Sequence, residues 1–311
     1  MDVPNDTRLF TIGEAVIQLQ ATYPDISHSS LRFLQREGMV TPLRTVGGHR
    51  LYTPHDLDRV RRIKRWQEHR LSLQEIRLRL ETLDALTSTT LVSQRFLDLA
   101  VEGEMDAASQ VVLQADELGI PLARIFEEVL RPALIEVGDR WVAGSLTVSQ
   151  EHEISELARY LVADLSNRHA LPEPREPIVI ATCVAEELHD LGLKMMGGVL
   201  RQRGARVHYL GANVLPPFVV ESVHLRHPDI VLLSVSLAEH LPALRDCIAA
   251  LAALAAPLPG KPGRNRPMIV AGGRGVAHAV DELEALGVRV IVDATLEGAA
   301  DTILTDWREP A

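Results

Sequence analysis

The run Glu187-Leu188-His189-Asp190-Leu191-Gly192 sets one imidazole between two carboxylates and three residues before a glycine. A neutral imidazole is a good ligand for a transition metal. A carboxylate on its other ring nitrogen fixes the tautomer and the ring orientation. Glu187 is the first candidate for that role and Asp190 the second. Gly192 lets a bulky ligand come close to the backbone. A different chemistry lies nearer the N-terminus. Arg32 and Arg36 stand one helical turn apart, a spacing that aims two guanidinium groups at base edges from one face. Ser29 and Ser30, at the start of the same helix, can meet phosphate together with backbone N–H groups. Arg44, His49, Arg50 and Tyr52 flank the Gly47-Gly48 pair and would hold the DNA backbone or minor groove. No Ser-His-Asp or metal-hydrolase arrangement is found, and His224, His227 and His278 read as surface residues, so an enzyme is not expected.

These residues need elements to position them. Thr11 followed by Glu14 is a capping-box pattern and predicts a helix start. Ser27 or Ser29 can cap a second helix that passes through Leu31, Phe33 and Leu34 and stops near Gly38. The Gly47-Gly48 pair between short extended segments predicts a hairpin. Helices are expected over 54–68 and 72–82. The polar break Thr87 to Thr90 marks a first boundary. From Leu91 to Asn167 the apolar spacing is helical, with breaks near Gly103, Gly119-Ile120-Pro121 and Gly144-Ser145. That predicts a four-helix bundle.

The proline-rich stretch Leu171 to Pro177 is a linker, and after it the period changes. Short apolar runs at Ile178–Cys183, Val207–Leu210, Ile230–Val235, Met268–Val270 and Val288–Val292 alternate with helical segments. They predict an α/β, Rossmann-like, doubly wound parallel sheet, whose ligands sit at the carboxyl ends of its strands. The expected division is 8–82, 91–170 and 177–308.

Composition bounds the function. Of 311 residues, 46% are hydrophobic and 24% charged, as in an ordinary globular chain. The longest apolar stretch, Cys247 to Leu258, is too short to span a bilayer. The N-terminus lacks a basic segment followed by an apolar one, so no signal peptide is read. Cys183 and Cys247 lie far apart without metal-type spacing, which suits a reducing cytoplasm. The net charge of −10 hides an asymmetry. Residues 1–80 hold 13 Lys and Arg against 9 Asp and Glu, and the remainder 19 against 33. A basic head on an acidic body predicts that the head meets a polyanion.

The head resembles the MerR family over about 70 residues. The matching residues are Phe10-Thr11-Ile12-Gly13-Glu14, Leu31 to Gly38, Arg44 to Tyr52, and Asp56-Leu57. The segment between the first two helices is longer than is usual in that family. The resemblance implies a winged helix-turn-helix on a double-stranded DNA operator. Typical members dimerise through a long helix after the head. Here the segment after Leu83 breaks within a few residues without sustained heptads, so oligomerisation is expected from the sensor half.

The sensor half resembles cobalamin-binding domains through Glu187-x-His189-x-x-Gly192. That resemblance implies His189 as the lower ligand of cobalt. It also implies Ser234-Val235-Ser236 and Gly272-Gly273 as the places that receive the cofactor's nucleotide tail. Ser236 stands where the family usually has Leu. Trp141, nine residues, then Glu151-His152 resembles a motif of cobalamin-dependent, light-responsive MerR regulators. It implies that the bundle covers a 5′-deoxyadenosyl group. In relatives a His follows the Trp and captures cobalt after photolysis. Here Val142 stands there, and His152 or water would have to fill the position. The expected function is a repressor that binds DNA as an adenosylcobalamin-assembled homo-oligomer, a tetramer being one candidate size, and is released by light. The alternatives are a light-independent sensor of cobalamin or its upper ligand and, further off, a corrinoid methyl carrier. No membrane partner is expected.

Overall fold

The computed structural model describes residues 9–45, 47–173, 176–254 and 266–308. Residue 8 of the expected head, Val46 of the hairpin, Pro174 and Arg175 of the linker, and the end of the 247–258 stretch lie outside the described residues. The chain divides into two compact units at Leu86/Thr87.

In the first unit, β1 (Phe10–Thr11) leads into α1 (Ile12–Gln20), then α2 (His28–Arg36), β2 (Leu43–Arg44), β3 (Arg50–Tyr52), α3 (Pro54–Glu68) and α4 (Leu73–Thr87). Thr11–Glu14, Ser27–Ser30 and Thr53–Asp56 form reciprocal capping boxes, which satisfy orphan N–H donors and fix where α1, α2 and α3 begin. Ser27, not Ser29, therefore caps α2. Gly38 (φ +69°) turns the chain after α2, a left-handed conformation that suits glycine. The long α1–α2 connection is held by buried Tyr23 and Ile26 and by Gln20 Nε2, which donates to the Ile26 carbonyl at 2.8 Å. The three strands form one antiparallel sheet in the order β1-β3-β2, with Arg44 opposite Arg50 at the hairpin. Leu19, Leu31, Leu57, Val60, Ile63, Ile76 and Leu80 fill the core. α4 runs on to Thr87 rather than ending at 82, and Ser88 then caps the next helix.

In the second unit the bundle is α5 (Thr89–Val101), α6 (Met105–Glu117), a long third helix, and α9 (Val148–His169). The third helix is α7 (Leu122–Arg124), a π-helical stretch (Ile125–Leu130) and α8 (Arg131–Val142). Gly103, Gly119 and Gly144 all take positive φ where the three breaks were expected. The sheet follows as β4 (Ile178–Val184), α10 (Leu191–Gln202), β5 (Arg206–Val214), α11 (Pro216–Arg226), β6 (Ile230–Ser234), α12 (Leu241–Ala252), β7 (Met268–Gly272), α13 (Val280–Ala285), β8 (Arg289–Ile291) and α14 (Leu296–Arg308). Its five strands are parallel in the order β5-β4-β6-β7-β8.

Strand side chains alternate between two cores, as the pleat requires. Val179, Ala181 and Cys183 of β4, with Ile230 and Leu232 of β6, join the core that also holds Phe96, Phe126, Val129, Ile154 and Leu161 of the bundle. Ile180, Val184, Val231 and Leu233 face the opposite core with α11, α12 and α13. Bundle and sheet thus share one continuous core. The register sets Cys183, Ser234, Gly272 and Ile291 side by side at the carboxyl edge of the sheet. The chain reverses direction of growth at β4, so this edge is where an α/β sheet takes its ligand.

Candidate cofactor cavity and nucleic-acid interface

A cavity of about 560 Å³ opens at that carboxyl edge. His189, Gly192, Ser234, Ser236, Gly272 and Gly273 all line it, so the sheet brings six of the expected cofactor residues together. Glu187 lies beneath them with 0% of its surface exposed. Its Oε1 accepts from the His189 backbone N–H at 2.9 Å and contacts His189 Nδ1 at 2.6 Å. Its Oε2 accepts from the N–H groups of Ser236 (2.6 Å) and Leu237 (3.2 Å) and contacts His240 Nδ1 at 3.1 Å. Burial alone would raise the Glu187 pKa, but these donors outweigh it and hold the carboxyl at about 2. An ionised carboxylate with five donors is a fixed acceptor, so the His189 Nδ1 carries its proton toward it. Nε2 is then the nitrogen left to take a metal, on a side chain 62% exposed at the cavity wall.

Asp190 does not share that task. Its carboxylate is taken by Arg159 of α9, by the Tyr209 hydroxyl and by Lys194 at 3.0 Å. Burial pushes its pKa up, but these three partners keep it below the ordinary range. The second candidate for the imidazole's carboxylate is therefore a tie between the loop and the bundle. Ser236 contributes its backbone N–H to Glu187, a role that Leu would serve equally well. Gly192 and Gly273 have different reasons to be glycine. A Cβ on Gly192 would meet nothing of the protein within 4 Å, so the space beside it is free for a ligand. A Cβ on Gly273 (φ +105°) would lie 2.3 Å from the Val235 carbonyl oxygen, so the fold itself demands that glycine.

Trp141, Glu151 and His152 do not line this cavity. Trp141 lies in the last turn of α8 with 47% of its surface exposed, and Val142, which ends the helix, is 80% exposed. Glu151 on α9 accepts from Ser155 Oγ at 2.7 Å and contacts His152 Nδ1 at 2.6 Å. Motif reading missed Glu127, Arg131, Arg159 and His240. His240 lies 53 residues from Glu187 in a 3-10 turn, and no local spacing announces it.

In the head, Ser29, Arg32 and Arg36 are exposed on one face of α2, and Arg44 and His49 are exposed on the hairpin. Ser30 is not available to phosphate in the same way, because its Oγ accepts from the Ser27 N–H at 3.0 Å. Arg50 is half-buried and donates through Nε to Gln35 of α2, so it braces the hairpin against the helix. Tyr52 is a correction to the expected interface. It is 0% exposed within the head's core, where no DNA atom can reach it.

These two regions match known families. Residues 11–83 match the MerR HTH family regulatory protein model. Residues 92–165 and 177–304 match two B12 binding domain models. Among solved structures, the monomethylamine corrinoid protein of Methanosarcina barkeri is similar with a TM-score of 0.56 at 18% identity, over 69% of this chain and 98% of that one. That likeness concerns fold alone. A MerR head joined to a B12-binding bundle and sheet defines a class, the cobalamin-dependent transcription regulators.

Sequence relatives narrow it. The HTH-type transcriptional repressor CarH of Myxococcus xanthus is 33% identical over 216 residues, 64% of this chain and 71% of the relative. The HTH-type transcriptional repressor CarA of the same bacterium is 27% identical over 283 residues, 88% and 91% of the two chains. The chain belongs to the CarH family of MerR-type, B12-binding regulators. Among the described residues no helix is long and apolar enough to cross a membrane.

Proposed function

We propose that the chain is a cytoplasmic repressor that binds adenosylcobalamin, with His189 as the protein ligand to cobalt and the bundle over the other side of the corrin. One observation carries this reading. The buried Glu187 carboxylate holds His189 Nδ1 and leaves Nε2 for a metal at the rim of the cavity. The rest of the donor set agrees. Among the described residues no three His, Cys, Asp or Glu converge as metal ligands. A lone imidazole suits a metal whose equatorial positions a macrocycle already fills. The free space beside Gly192, with Ser234 and Gly272 at the strand ends, suits the nucleotide tail.

Adenosylcobalamin supplies a cobalt–carbon bond that light can break. On the protein side, the exposed Trp141 indole offers a flat surface for an adenosyl group, and Glu151 and His152 at the start of α9 carry hydrogen-bonding groups. The bundle–sheet contact is the two-state element that the cofactor biases. α4 is too short for a dimerising coiled coil, so the loaded sensor half supplies self-association, to a tetramer in the simplest symmetric case. Several linked heads then occupy adjacent half-sites of an operator far more tightly than one head can. Ser29, Arg32, Arg36, Arg44 and His49 are the DNA-facing residues of this reading.

Val142 motivates a second reading, in which cobalamin level or its upper ligand is the input and light is not. An exposed valine cannot ligate cobalt at the position where the family resemblance implies a His. DNA binding and oligomer size of the chain loaded with adenosylcobalamin should be compared in darkness and after green light. Loss of both on illumination supports the light reading. A changed absorption spectrum with unchanged assembly and DNA binding supports the second. DNA binding that ignores the cofactor overturns both, as does unaltered cobalamin uptake by His189→Ala, for which weakening by roughly 10- to 100-fold is expected.

A further inference from the structure

The third bundle helix is interrupted where it passes the cavity. Ile125–Leu130 is π-helical, an arrangement that is rare and costs regular hydrogen bonding. Glu127 lies in that stretch and lines the cavity, as does Arg131 one turn later. The Glu127 Oε1 accepts from the backbone N–H of Leu296 at 2.6 Å, across 169 residues of sequence. Leu296 is the first residue of α14, and the residues leading into it, Ile291 to Thr295, also line the cavity. Thr295 serves the next donors of α14 itself, taking Gly298 N–H on its hydroxyl and Ala299 N–H on its carbonyl. The Leu296 donor is met from the bundle instead.

A helix N-terminus attracts negative charge, and its first N–H groups have no partner within the helix. Glu127 supplies both needs from a partly dry position. Burial raises its pKa, against the pull of the Leu296 N–H and the Arg131 charge. Asp293, in the same wall, holds a positive φ of 50°, a conformation that needs support from its surroundings.

We propose that Glu127 is a positioning residue for the cofactor: by capping α14 from the bundle it fixes the 291–295 wall of the cavity, and so sets the site for the nucleotide tail. This rests on the proposal that the cavity takes that tail. The same bond ties the bundle to the wall, so displacing the bundle loosens the tail site, and filling the tail site holds the bundle.

Two corrinoids test the assignment on the full-length chain: cobalamin, and cobinamide, which lacks the nucleotide tail. Affinities are read by absorption titration for wild type, Glu127→Ala and Glu127→Gln. Glu127→Ala should bind cobalamin about tenfold more weakly while its cobinamide affinity stays within about twofold. Glu127→Gln keeps an oxygen for the Leu296 N–H and should recover most of the loss. Hydrogen exchange on the cofactor-free chain should quicken at 292–299 in Glu127→Ala and remain slow in β4. Equal weakening for both corrinoids, or unchanged exchange at 292–299, overturns the inference. Wild type that takes neither corrinoid overturns the proposed function, and this inference with it.

Discussion

Arg32 and Arg36 in the head stand in the open, while Glu187 in the second unit has no exposed surface at all. Both arginines stand apart from the head's core, while other basic side chains there form simple pairs, such as Arg77 with Glu37 at 2.9 Å. Such pairs add little stability in water. The sensor site does the opposite. It buries a charge and surrounds it with donors drawn from three places in the chain. In the proposed function the difference is one of partner. DNA is bound from solvent and released again, so its contacts must be accessible. A metal ligand must hold one ring orientation before the cofactor arrives, and a dry, fully satisfied carboxylate does that.

The contrast is sharpest at Glu187. Glu187→Gln replaces a carboxylate that accepts from every side with an amide whose NH₂ must face a donor. The second unit should lose about 3 kcal/mol and most of its cobalamin affinity, read by denaturant unfolding and by absorption titration. Acid should act through the same group. The folded pKa of about 2 lies below the ordinary 4.5, so this contribution is present above about pH 4.5 and fades as pH falls through 2. Unfolding measured from pH 6 to pH 2 should show that slope in wild type and lack it in Glu187→Gln. An identical slope in the two would place the acid sensitivity elsewhere.

In the head the expectation is reversed. Arg32→Ala should weaken operator binding about tenfold and relax base preference, with no shift in unfolding midpoint. A large loss of stability would mean that this guanidinium is structural and that the comparison fails. The smallest effect is expected at Tyr52. Among the described residues its buried hydroxyl finds no hydrogen-bond partner. Tyr52→Phe removes that unpaired group and should leave DNA binding unchanged, with stability raised by up to about 1 kcal/mol. Weakened DNA binding with unchanged stability would return Tyr52 to the interface.

What could be read in advance follows the same division. The helices and strands were legible because caps such as Thr11–Glu14, left-handed glycines such as Gly103, and the switch from helical to alternating apolar spacing act within a few residues. The Glu187–His189 contact was legible because both residues lie in one short loop. Tyr52 was misread because a residue at the end of a wing strand points to either face, and spacing does not say which. Asp190 stood second to Glu187 as the imidazole's carboxylate on proximity in sequence, and in space Arg159, Lys194 and Tyr209 claim it. His240 and Glu127 act over 53 and 169 residues, distances at which a single sequence carries no local pattern.

Gly273 has a bearing on descent. Any side chain there would strike the Val235 carbonyl, whether or not a cofactor is ever bound. A descendant that abandoned corrinoids would be free to change His189 and to fill the space beside Gly192, yet would have to keep Gly273 to fold. In a collection of such sequences, the second glycine of the pair records the ancestry of the scaffold, and the imidazole and Gly192 together record whether the chemistry survives.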